Sequence, residues 1–587
     1  MININYQKRK NTELFKSLEE STSLFLSDTQ NYVPIYKRFF SLNETNFNNI
    51  NLNNNYYIDS HLKQNPKNLE YTCKIGDIKN ETFRDTKVFF KLAPLLDPYK
   101  YLIGKYTIDD KLFSLPKLNS SEKDCNSKFI DVNNSAYVDG FFLFLTNSLL
   151  LEHNFLHGIE YYGSFLAIKN VYKINVFDDI EYLNNSNYFN KNKNILFEID
   201  EYDHLFKDEK QKLTPIKIDH TVSAKSQLSI TSFDNEIFEE IFCDNNTADN
   251  FEELKELNIE NDDKNVTLNS NSTCSSRFSY TDDDEDEEEE DEEDEDDEED
   301  EDDEEDEEDE DEDEDNDEED EEDEDDDEDE EEEEEIINVT IPKFPVQVIF
   351  MEKCESTFDD LILNSNLTPD EWYSAFMQII MILITYQKTF NFTHNDLHTN
   401  NIMYNKTTQK YLFYRYKKVN YKVPTFGRIY KIIDFGRSIY KFNGNIFCSD
   451  SFQNGGDAAT QYNTEPYLNE KKPRLEPNPS FDLCRLACSI FDYVVEDLEE
   501  IKELSKCEPI KRLIVEWCQD DKGINMLYKN NGSDRYPEFK LYKMIARCVH
   551  NHTPQAQLDR PEFKKYSQFE GIISEPIMDI DAIPSYV

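Results

Sequence analysis

The segment Phe392 to Tyr404, FTHNDLHTNNIMY, concentrates more reactive side chains than any other part of the chain. His394, Asp396 and Asn401 fit the pattern His-x-Asp-x-x-x-x-Asn. A carboxylate in such a loop can take the proton from an attacking hydroxyl. An amide five residues further on can turn back towards a magnesium ion. A second carboxylate, Asp434, opens Asp434-Phe435-Gly436 directly after the apolar run Ile429 to Ile433. Either signal alone is weak. A buried strand delivering an acid beside a His-x-Asp loop is strong, because it supplies a base and metal ligands together.

The surrounding pattern positions these groups. Thr368-Pro369-Asp370-Glu371 reads as a helix start, with Thr as the cap and Pro in the first turn. Trp372, Phe376, Ile379, Leu383, Tyr386 and Phe390 then recur at helical spacing, giving one buried face that ends just before the loop. Asn401 to Tyr404 opens a strand-like run. Ser480-Phe481-Asp482 opens a further helix, with Leu483, Leu486, Ile490 and Val494 on one face.

From about Val346 to Phe563 the chain resembles the C-lobe of the eukaryotic-type protein kinase superfamily. The wording HNDLHTNNIM and KIIDFGRSIY is most similar to kinase-like proteins of giant DNA viruses of the mimivirus type. The resemblance implies an α+β, two-lobed protein-kinase-like fold. It makes Asp396 the catalytic base, Asn401 and Asp434 the magnesium ligands, and ATP with magnesium the cofactors. Asp482 matches the buried aspartate that ties a C-lobe helix to the catalytic loop, and Arg560 a late structural arginine. Lys87-Val88-Phe89-Phe90-Lys91 looks like the strand bearing the ATP-phosphate lysine, which makes Lys91 the candidate. Its acidic partner belongs on the next helix, about 135 to 152, where Asp139 is preferred over Glu152. Ile159 to Ile168 is expected as the fourth strand of the N-lobe and Val346 to Phe350 as the fifth. Met351, Glu352, Lys353 and Cys354 then form the hinge that would hold adenine.

The departures from the family are informative. Only Gly76 precedes Lys91, so the usual glycine-rich phosphate loop is missing. Asn395 stands where phosphorylation-activated kinases carry Arg, which removes the usual receptor for a phosphorylated activation loop. His398 replaces the usual Lys, and no Ala-Pro-Glu closes the activation segment. The spacing from Asp396 to Asp434 is about twice the family's, implying a hairpin insertion around residues 406 to 428.

Charge sets the remaining boundaries. The chain has 587 residues and a formal net charge of -65, from 126 acids and 61 bases. Residues 282–335 are all Asp or Glu except Asn316, so the rest of the chain carries only about -12. Neighbouring charges about 3.5 Å apart repel well inside a Debye length of about 8 Å, so the tract is expected to be a disordered insert. The expected map is a polar extension over 1–70, the first part of the N-lobe over 71–168, and a polar insert over 169–339. The last N-lobe strand and hinge follow over 340–354, the C-lobe over 355–570, and a tail over 571–587.

No cluster of Lys and Arg suits direct nucleic-acid binding. A protein substrate is expected, and the acidic tract could attract a basic protein partner. The start, MININYQKRK, has no apolar leader core, and no apolar run is long enough for a bilayer. The 11 scattered cysteines read as reduced thiols; Cys484 and Cys488 share a helical face, but no nearby ligand completes a zinc site. An intracellular, soluble protein is expected, in host cytoplasm or virion if viral. The leading expectation is a serine/threonine protein kinase. A pseudokinase scaffold and an aminoglycoside- or choline-type small-molecule kinase are the alternatives.

Overall fold

The computed structural model describes residues 2–64, 71–202, 337–569, 573 and 575–587. Among these, α and β elements are mixed, and the largest sheet is antiparallel throughout. Its strands are β1 (Leu26–Gln30), β2 (Tyr56–Gln64), β3 (Tyr71–Asp77), β4 (Thr82–Pro94), β5 (Tyr161–Asn175), β6 (Glu198–Ile199) and β7 (Asn338–Glu352). The order is β1-β5-β7-β4-β3-β2, with β6 on the outer part of β7. Alternation along β7 sends Val346, Val348 and Phe350 to one face and Ile349 and Met351 to the other.

Each face has its own cover. Helix α1 (Thr12–Glu19) buries Leu14, Phe15 and Leu18 with Val346, Val348 and Phe350. The opposite face meets the larger core, which includes α2 (Ser127–Ile130) and α3 (Ser135–His153). Fourteen consecutive residues of α3, Ala136 to Leu149, are buried. A helix that is apolar all round belongs inside a protein, and α3 lies between the sheet and the elements that follow. These are α4 (Pro369–Phe390), α5 (Phe481–Val494) and α6 (Lys540–Cys548), with short antiparallel pairs between them. Thr368 and Glu371 cap α4 reciprocally, and its helical face is buried as the periodicity implies.

Three expected boundaries are corrected. Residues 1–70 are not an extension: β1 and β2 form the two edges of the main sheet, and α1 covers it. The polar composition concealed this because asparagine side chains replace backbone partners there. Buried Asn31 donates to the carbonyls of Arg9, Lys10 and Asn48, for example. The polar insert does not begin at 169 either, since β5 runs on to Asn175 and Phe197 is buried against Phe189. Nor is 571–587 a free tail. Met578–Asp579 pairs in parallel with Tyr411–Tyr416, and Ile580, Ile583 and Tyr586 are buried. The acidic tract, residues 282–335, lies outside the described residues, within the gap 203–336.

Candidate active site

Lys91 on β4, Asp139 on α3 and Asp434 at the end of a strand converge. The Lys91 Nζ lies 2.7 Å from Asp139 Oδ2 and 2.9 Å from Asp434 Oδ1. Asp139 sits one helical turn inside α3, and its Oδ1 accepts the Phe435 N–H at 2.8 Å. Its side chain is 2 % exposed, that of Asp434 49 %. Burial raises the Asp139 carboxyl above its ordinary value; Lys91 opposes this and the Asp434 charge adds to it. Burial also opposes ionisation of Asp434, but the Lys91 ammonium outweighs it and holds that carboxyl low. Two acids with such different environments have different roles: Asp139 anchors the lysine, and Asp434 presents charge outward.

The loop bearing Asp396 is fixed from beneath. Asp482, in the first turn of α5, accepts the backbone N–H of His394 at 3.1 and 2.9 Å and of Asn395 at 2.9 Å. His394 Nε2 donates to the Ile433 carbonyl at 2.9 Å, and its Nδ1 accepts the Asp396 N–H at 3.3 Å. The imidazole therefore joins the loop to the strand Arg428–Ile432, which leads into Asp434. Asn395 has φ 66, a left-handed conformation that Asn tolerates better than most residues. Its side chain donates to the Arg437 carbonyl at 3.0 Å and accepts from Tyr462 Oη at 2.8 Å. The amide is thus a structural link between the loop, Arg437 and Tyr462.

Asp396 and Asn401 lie in one bonded unit. Asn401 Nδ2 donates to the Asp396 carbonyl at 2.9 Å and to His398 Nε2 at 3.0 Å. Burial brings His398 down to about 4, so its ring is neutral and can accept that bond. Burial raises the Asp396 carboxyl, but the Arg437 and Arg485 guanidinium groups bring the net below the ordinary range, so it stands ionised. Tyr542 on α6 donates to Asp396 Oδ1 at 2.9 Å, and Arg437 Nη1 lies 4.0 Å from Oδ2. Arg437 is held in turn by Asp457 at 2.7 Å.

Oxygen donors for a hard cation are present. Both side-chain bonds of Asn401 use Nδ2, leaving Oδ1 without a partner among the described residues. Asp434 Oδ2 is likewise unused, since Lys91 and Gly436 both meet Oδ1. No group of three or more His, Cys, Asp or Glu that could hold a metal occurs among the described residues. Magnesium needs no such cage, because it takes one or two protein oxygens together with phosphates and water. The chemistry of the two free oxygens fits it.

The expected hinge closes the same sheet. Met351 on β7 pairs with Phe89 on β4, two positions from the pairing of Lys91 with Ile349. The Glu352 N–H is spent on the Glu160 carbonyl, and its carboxylate on Lys431, Asn405 and the Glu160 N–H. Lys353 and Cys354 follow the strand, and burial pushes the Cys354 thiol up to about 12, which makes it inert. The implied insertion is a hairpin of strands Tyr411–Tyr416 and Val419–Pro424. Sequence reasoning missed Tyr542, Arg437 and Asp457. Of these only Arg437 carried a signal, by adjoining Asp434-Phe435-Gly436.

No protein-family model matches the chain, and no curated protein matches it. Among the described residues, no helix is long and apolar enough to cross a membrane.

Proposed function

We propose that the chain is an ATP- and magnesium-dependent phosphotransferase, a serine/threonine protein kinase that moves the γ-phosphoryl group to a protein hydroxyl. In this reading the fold is two-lobed and kinase-like, the main sheet forming one lobe and the elements after Cys354 the other. The observation that carries it is the bridge from Lys91 to both Asp139 and Asp434. Asp434 is coupled through Ile433 to the loop that holds Asp396 and Asn401.

Each residue has a stated task. Lys91 orients the phosphates, and Asp139 keeps its ammonium in place. Asp396 accepts the proton of the attacking hydroxyl, and Tyr542 and Arg437 fix its two oxygens. Asn401 Oδ1 and the Asp434 carboxylate would hold magnesium, which when bound neutralises phosphate charge.

Tyr542 also favours a second reading, a pseudokinase that binds without turnover, because it occupies Asp396 Oδ1. Calorimetric titration with ATP separates the starting points. Binding that requires magnesium and is lost in Asp434→Asn supports phosphoryl transfer chemistry; equal affinity with EDTA supports the scaffold.

A further inference from the structure

The segment after Asp434-Phe435-Gly436 is clamped to the start of α3 by one buried acid. Asp450 is 2 % exposed. Its Oδ1 accepts the Ser135 N–H at 2.9 Å, and Lys128 Nζ lies 3.1 Å from Oδ2. Its own N–H donates to the Asn133 carbonyl at 2.8 Å. Ser135 is the first residue of α3, and the first amides of a helix have no partner within it. Asn134, the cap, takes the Ala136 N–H, and Asp450 takes the one the cap leaves.

Further contacts tie the same strip. Arg38 donates to the Ile446 carbonyl at 2.6 Å and to Asn133 Oδ1 at 2.8 Å, and lies over the Phe447 ring. Phe447 packs on Phe141, two residues beyond Asp139. Asp139 is four residues from Ser135 and so lies above it on the same side of the helix. Any tilt of the first turn therefore moves the Asp139 carboxylate relative to Lys91.

We infer that Asp450 is a positioning residue, a buried carboxylate paired with Lys128 that docks the segment 445–450 on α3 and keeps Asp139 against Lys91. A phosphate added to a loop can dock it by charge-assisted bonds. Here the charge is encoded, so the Lys91–Asp139 pair forms in the unmodified chain. The consequence for rate rests on the phosphotransferase reading. The clamp itself does not.

The test uses the full chain carrying Asp450→Asn, which keeps the shape and removes the charge, and separately Lys128→Met. Melting curves establish that both remain folded. Amide hydrogen exchange at Ser135 should accelerate roughly tenfold or more, since its acceptor loses charge. An amine-reactive acylating reagent should modify Lys91 faster in both variants than in wild type, and Asp450→Asn should raise the KM for ATP more than it lowers kcat. If wild type transfers no phosphate while exchange and Lys91 acylation change as stated, the clamp stands and the proposed activity falls. Unchanged exchange and unchanged Lys91 acylation in both variants would overturn the inference, whatever the activity.

Discussion

Replacing Lys91 by Met removes the cation between two carboxylates. Breaking a buried ion pair from one side costs about 3–5 kcal/mol, because the remaining charge stays uncompensated. Asp434 is 49 % exposed and can be hydrated, so the loss should come from Asp139, whose side chain is 2 % exposed. A loss of about 2–3 kcal/mol is expected after that discount. Adding Asp139→Asn removes the stranded charge and keeps an oxygen for the Phe435 N–H. The double variant should regain at least about 1 kcal/mol of the loss.

The sign of the pH dependence follows. Burial already raises Asp139, and losing Lys91 raises it further. A carboxyl whose folded pKa lies above its unfolded one favours the native state at low pH and opposes it as pH rises through that interval. Lowering the pH from about 7 to about 5 should therefore narrow the gap between Lys91→Met and wild type, and leave that of the double variant almost unchanged. Urea denaturation followed by circular dichroism at both pH values measures each quantity. A single-variant loss below about 0.5 kcal/mol, or a double variant no more stable than the single, refutes the reasoning.

Asp482→Ala strands the N–H groups of His394 and Asn395 and should cost about 3 kcal/mol by chemical denaturation, with Asp482→Asn milder because one oxygen remains. Replacing residues 203–336 with a short Gly/Ser linker should leave the melting temperature near wild type. The two flanks already meet, the Asp200 N–H donating to the Asn338 carbonyl at 3.0 Å, and loop-closure cost grows only logarithmically with length. A melting temperature lowered by more than about 5 °C would show that the excised residues support the fold. Phosphatase treatment should leave ATP turnover unchanged, since Asp450 carries the docking charge. A large loss of rate would show that a phosphate is read elsewhere.

Local pattern made much of the site legible. Thr368 and Glu371 announce α4, Ile429 to Ile433 announces the strand before Asp434, and the His394–Asn401 spacing fixes a loop that closes as the Asn401 side chain donates to the Asp396 carbonyl. The preference for Asp139 over Glu152 matches the ion pair with Lys91. Long-range pairing was illegible. β1 and β2 are short or polar edge strands, and nothing in their composition shows that residues 26–30 lie beside 166–169. Tyr542 meets Asp396 across 146 positions, and Asp450 meets Ser135 across 315. Such contacts depend on how helices stack, which periodicity does not report. The chain's end was misjudged for a similar reason: Lys388 is paired with the carbonyls of Ile580 and Ile583, and one lysine in a helix gives no hint of that.

Phosphoryl transfer by these residues is measured as radiolabelled γ-phosphate transfer from ATP with magnesium, using acidic proteins, basic proteins and small-molecule alcohols as acceptors. Wild type should label a protein acceptor at Ser or Thr. Asp396→Asn should slow labelling by about 10²–10⁴ with ATP affinity nearly unchanged. Wild type that binds magnesium-ATP yet labels no acceptor, or Asp396→Asn that labels as fast as wild type, would contradict the account.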